Sequence, residues 1–139
     1  SLTAGYGLPQ EAAFPARLEM ALKRRGRQVR VINAGVSGDT SMGGSARLDW
    51  SLGDHPDLVI VELGANDALR GLSPQQTWEN LDSILDRLQQ NGVQALLTGM
   101  KAPRNMGVDY YTSFDRIYPE LARQHKVPLY PFFLHKSDI

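Results

Sequence analysis

Apolar positions along the chain fall into two alternating rhythms. Short clustered or unbroken runs at Gln28–Ala34, Leu58–Leu63, Val93–Thr98 and Val127–Phe133 have the length and composition of strands. Leu58-Val59-Ile60-Val61 is apolar throughout, with Leu63 following one charge, a pattern expected of a strand buried on both faces of a parallel sheet. Between the runs, apolar residues recur at helical spacing. Phe14, Leu18, Ala21 and Leu22 form one stripe within a predicted helix Glu11–Arg25, stopped by Gly26. A second helix opens at Thr40 or Ser41, carries Leu48 and Leu52, and ends near Gly53. Ser73-Pro74-Gln75-Gln76 predicts a helix start with a capping box, and Leu81, Ile84, Leu85 and Leu88 its buried stripe up to Asn91-Gly92. The last helix is predicted over Tyr110–His125, with Phe114, Ile117, Leu121 and Ala122 inward and Pro119 interrupting its middle.

Strand and helix thus alternate from end to end. Such alternation predicts an α/β sandwich of parallel strands joined by right-handed helical crossovers. In that architecture the chemistry collects just past the carboxyl ends of strands. Asn66 and Asp67 follow Leu58–Leu63 at that point, and Gly35-Val36-Ser37-Gly38-Asp39-Thr40 follows Gln28–Ala34. Asn, Asp and Gly are also ordinary turn residues, so position alone does not make these a site.

Composition narrows the function. With 139 residues the chain has the size of one domain. Fifteen basic and fifteen acidic residues cancel, which leaves no basic field for nucleic acid and no patch for a membrane surface. Lys23, Arg24 and Arg25 sit where a helix C-terminus favours cations. Cysteine is absent, which removes disulfides, thiolate nucleophiles and Cys-based metal sites. No apolar run approaches the ~20 residues of a membrane-spanning helix. No signal peptide is visible, but the chain opens at SLTAGYG without Met, so a leader would lie upstream.

Three motifs, Ser1-Leu2-Thr3-Ala4-Gly5, Asn33 to Thr40, and Gly64-Ala65-Asn66-Asp67, occur in order, the last two each after a predicted strand. Together they resemble the SGNH (GDSL-type) hydrolase family, closest to its arylesterase, acyl-CoA thioesterase and lysophospholipase branch, from Ser1 to about Phe133. The resemblance implies a three-layer α/β/α sandwich on a flavodoxin-like parallel sheet. It implies Ser1 as nucleophile, with the Gly38 backbone N–H and the Asn66 side-chain amide as oxyanion donors. It also implies a small-molecule ester or thioester substrate, no metal and no cofactor. The residue chemistry suits those roles: a tetrahedral oxyanion needs donors about 3 Å away, which an unhindered glycine N–H and a carboxamide supply. Asp39 and Asp67 are expected to support the two loops by accepting nearby N–H groups. Tyr6, Met106, Tyr110 and Tyr111 are candidates to line an acyl or aryl pocket, and surface or core packing accounts for each equally well. Relatives of this type are often exported, which makes a periplasmic or secreted location plausible.

Two parts of the family pattern are absent. The Gly-Asp that should precede Ser1 is missing together with its strand, as is an Asp-x-x-His-Pro block. Of three histidines, His55 precedes Pro56 but has Leu52 in the aspartate position, His125 ends a helix, and His135 has Phe132 three residues before it. The expectation is a single hydrolase domain over residues 1–139 that is incomplete at both ends. Without the first strand, a gap of about two strand spacings, ~10 Å, would open beside Gln28–Ala34. A serine without a base is a weak nucleophile, so little or no turnover is expected. The alternative is a non-catalytic module that binds an acyl or other small ligand on the same fold. A nucleotide- or flavin-binding domain ranks last, because neither a G-x-G-x-x-G turn nor a P-loop lysine is present.

Overall fold

A computed structural model describes residues 3–131, in two compact units, Ser1–Asp39 and Thr40–Ile139. In the first unit a 3₁₀ turn, Gln10–Ala12, leads into α1, Phe14–Arg24. Pro15 sits in the opening turn, where its missing N–H costs nothing. Two bonds close the helix, Gly26 N–H to the Lys23 carbonyl (3.0 Å) and Arg27 N–H to that of Leu22 (3.0 Å), with Gly26 at φ +78°. The predicted stop is therefore where the chain turns. The stripe is weaker than its spacing suggests: Phe14, Leu18 and Leu22 are half-buried and Ala21 is exposed.

The predicted strand Gln28–Ala34 does not form. Residues 27–36 have no regular structure, and Val29, Ile32 and Val36 are exposed. A strand needs a ladder for its amides, and here those amides bond elsewhere. The Val31 N–H donates to Glu19 Oε1 of α1 (2.8 Å), and the Gly35 N–H to Asn33 Oδ1 (2.9 Å).

The second unit holds the sheet. Its helices α2, Ser41–Ala46, and α3, Leu48–Ser51, replace the single predicted helix and break at Arg47; a 3₁₀ turn, Leu52–Asp54, follows. Thr40 is the N-cap, its side chain accepting from the Gly43 N–H at 3.3 Å. Strand β1, Leu58–Val61, leads into a short helix α4, Ala65–Leu69, and then α5, Pro74–Gln90. Strand β2 is Gln94–Thr98, helices α6 and α7 are Val108–Asp115 and Ile117–His125, and β3 is Leu129–Tyr130. The strands lie parallel in the order β1-β2-β3. This is the α/β class that the alternation predicted.

β1 is less buried than its apolar run implies. Val61 is buried, Val59 and Ile60 are half-buried, and Leu58 is 48% exposed. Among the described residues β1 pairs only with β2, so its other edge receives no cover from a neighbouring strand. The core lies instead between α5, β2 and the α6–α7 pair. Leu81, Leu85, Leu88, Leu97, Phe114 and Leu121 have no exposed surface there. The Ser73 capping box is absent, since Ser73 makes no side-chain cap bond. Pro119 acts as expected: it has no N–H for the carbonyl four residues back, that of Asp115, and α6 ends at Asp115.

Candidate active site

Asn66 lies in the first turn of α4, five residues past the end of β1. Asn66 was expected on a loop past the strand's carboxyl end. The chain passes through Gly64 at φ +114°, which caps the helix, and begins coiling at once. A Cβ at Gly64 would overlap the Tyr118 hydroxyl, so only glycine admits this approach.

The next residue, Asp67, is 2% exposed and accepts three hydrogen bonds. Ser41 N–H donates to its Oδ1 at 2.8 Å, and the Ser41 and Thr77 hydroxyls donate to its Oδ2 at 2.6 and 2.9 Å. Asn80 Nδ2 in turn donates to Ser41 Oγ at 3.1 Å. Ser41 opens α2, so the carboxylate takes a helix N-terminal N–H that has no intrahelical partner, where a negative charge is also favoured. The support expected of Asp67 is present, and it joins α2, α4 and α5. Ser41 and Thr77 were not legible as its partners. They stand 26 and 10 residues from it, and no local pattern marks contacts at that range.

Two tyrosines hold the rest of this segment. Tyr118 Oη donates to the Leu63 carbonyl at 2.7 Å, and Tyr110 Oη to the Leu72 carbonyl at 2.6 Å. Burial raises the Tyr118 hydroxyl well above the ordinary value of 10.0, and the charges of Asp67, Glu62 and Asp115, with Tyr110, add to the rise. Tyr110 is raised by burial and then by Asp67. Above pH ~10 an unfolded chain loses these protons while the folded one keeps them, so the folded state then binds more protons. Their contribution to stability is complete below about pH 10 and is lost as pH rises through the folded values. Urea midpoints should fall as pH climbs past about 10, and Tyr118→Phe should flatten that decline.

The other predicted residues are placed as follows. Ser1 and His135 lie outside the described residues. Gly38 belongs to the first unit, at φ +78° in a turn closed by the Asp39 N–H on the Val36 carbonyl (3.2 Å). Within that unit the first two motifs touch: a Cβ on Gly35 would lie 2.5 Å from the Ala4 nitrogen, so the chains meet backbone to backbone. Tyr6 is exposed. Met106 lies against Gly71, and Arg104 stacks over the Tyr111 ring at 4.2 Å while pairing with Asp115 at 2.6 Å.

Neither described histidine neighbours Asn66 along its strand or serves its helix. His55 precedes β1, at the end opposite Asn66, and lines an open hollow of about 450 Å³ with Asp57, Asn91 and Gln94. His125 is buried at the end of α7, its Nε2 2.6 Å from Asp82 and its Nδ1 3.6 Å from Asp86. The two aspartates stand one turn apart on α5, so this group ties α7 to α5. Among the described residues no helix is long and apolar enough to cross a membrane.

The second unit is a parallel α/β sheet with a carboxamide just past a strand's carboxyl end, and within the first unit Gly35 of the glycine-turn motif lies against Thr3 and Ala4. The chain belongs to the GDSL-like lipase/acylhydrolase family, whose model matches residues 1–138. It is 44% identical over 135 residues to an arylesterase of Vibrio mimicus, covering 96% of this chain and 68% of that protein. It is also 44% identical over 137 residues to thioesterase 1/protease 1/lysophospholipase L1 of Escherichia coli K12, covering 98% and 64%. Among solved structures it is similar to the SGNH-hydrolase family esterase AlinE4, with a TM-score of 0.93 and 50% identity over 96% of this chain and 72% of that one. The family is one of carboxylic-ester hydrolases acting on small-molecule esters.

Proposed function

We propose that residues 1–139 belong to a single hydrolase domain that cleaves carboxylic esters or acyl thioesters through an acyl-serine. Ser1 Oγ attacks the acyl carbon, and its proton passes to the departing alcohol or thiol by way of the histidine base of the family's Asp-x-x-His block; residues 1–139 contain no such block, so little or no turnover is expected of them alone. The Gly38 N–H and the Asn66 amide donate to the oxyanion. Water then attacks the acyl-serine, releasing the acid and restoring the hydroxyl. The observation that carries this reading is Asn66 in the opening turn of α4, beside the buried Asp67 bonds. A donor held before the reaction loses no energy to reorganisation when charge develops. Arylesters and acyl thioesters are the substrate classes favoured, because the relatives above bear those names.

A fluorophosphonate and a chromogenic butyryl aryl ester test the proposal. Covalent labelling at Ser1, lost in Ser1→Ala and slowed about a hundredfold in Asn66→Ala, is the expected result. Reversible binding of a fatty acid with no labelling would favour instead the second reading, a module that binds acyl ligands without chemistry.

A further inference from the structure

We infer that Tyr110 and Tyr118 are positioning residues for Asn66, acting as a two-point clamp on the segment that presents it; this rests on the oxyanion role proposed above. The segment from Leu63 to Leu72 leaves β1, forms α4 and turns into α5. Its helix has only five residues, too few to hold its own geometry in water. The carbonyl just before it, on Leu63, accepts from the Tyr118 hydroxyl, and the carbonyl just after it, on Leu72, accepts from the Tyr110 hydroxyl.

Both hydroxyls come from one rigid source. Tyr110, Phe114 and Tyr118 stand at i, i+4 and i+8 across α6 and α7, with ring centroids 6.3 and 5.8 Å apart. Phe114 is fully buried and Tyr118 nearly so, which fixes the ladder against the core. The Tyr118 hydroxyl also fills the space that a Cβ at Gly64 would need, so it sets the path by which the chain enters α4. Asp67 fixes the middle of the segment from its other partners, Ser41 and Thr77. Asn66 is thus carried between two pinned carbonyls and beside a pinned carboxylate. Both tyrosines remain donors at neutral pH, since their hydroxyls are raised from the ordinary value.

Tyr110→Phe and Tyr118→Phe remove each hydroxyl and keep each ring. Each is expected to slow fluorophosphonate labelling about threefold to tenfold, the worth of one neutral hydrogen bond. In an Asn66→Ala background the same changes should alter the rate by less than about twofold, because the group they position is gone. The Asn66 side-chain amide resonances, read by ¹⁵N NMR and independent of turnover, should shift or broaden in both variants. They should stay in place in Leu88→Ala, which lowers stability from a distant core position. If Asn66→Ala leaves labelling unchanged, the oxyanion reading fails. If Asn66→Ala slows labelling while the tyrosine effects remain additive to it, or if the Asn66 resonances are indifferent to both hydroxyls, the clamp fails and the oxyanion reading stands.

Discussion

Asp67→Ala should destabilise the fold by about 4 kcal/mol. The substitution leaves the Ser41 N–H, the Ser41 hydroxyl and the Thr77 hydroxyl without their acceptor, and Ser41 and Thr77 are fully buried. Each orphaned buried donor costs ~1–3 kcal/mol, reduced where a hydroxyl rotates or water enters. Asp67→Asn should cost less, about 1–2 kcal/mol. Its carbonyl oxygen still accepts from Ser41 N–H, and both hydroxyls can reverse and accept from the new amide. Urea titration of both variants against the parent checks the order, and an alanine variant no weaker than the asparagine one would remove Asp67 from the centre of this network. Since α4 carries Asn66, labelling of the serine should fall in step with the alanine variant's loss of order at neighbouring amides.

Gly64→Ala should be nearly as damaging, again about 4 kcal/mol. The residue is held at φ +114°, outside the range of an L side chain, and its new methyl would collide with the Tyr118 hydroxyl. The two costs separate experimentally. Adding Tyr118→Phe removes the colliding oxygen, and the next atom, the Tyr118 Cζ position, is 3.2 Å from the added Cβ. The double variant should therefore be more stable than the sum of the singles by about 1–2 kcal/mol, with only the backbone strain remaining. Strict additivity in thermal or urea unfolding would mean that Tyr118 does not press on the β1–α4 turn.

The sequence carried more of the family motifs than of their support. Gly64-Ala65-Asn66-Asp67 stands out locally because a buried run stops and polar residues follow at once. The family resemblance supplied roles for Ser1, Gly38 and Asn66. Tyr118 went unnoticed although Tyr110, Phe114 and Tyr118 keep a four-residue spacing, because the Pro119 break sits inside that stripe and a tyrosine hydroxyl gives no hint of its acceptor. The acceptors, the carbonyls of Leu63 and Leu72, are backbone atoms of any residue type, and so leave no mark in the sequence.

By itself the sequence determined the alternation of strand and helix from β1 onward, the α5 stripe, the stop at Gly26, the break before Pro119 and the hydrolase family. Each depends on periodicity, on a residue with a special backbone, or on a contiguous motif. Tertiary structure alone decided that residues 27–36 form no strand, because pairing depends on where the amides find acceptors and not on apolar content. It alone decided which side chains secure Asp67 and the ends of α4. Those bonds join residues 10 to 55 positions apart, and a partner at such range is chosen by packing, not by any neighbour in the chain.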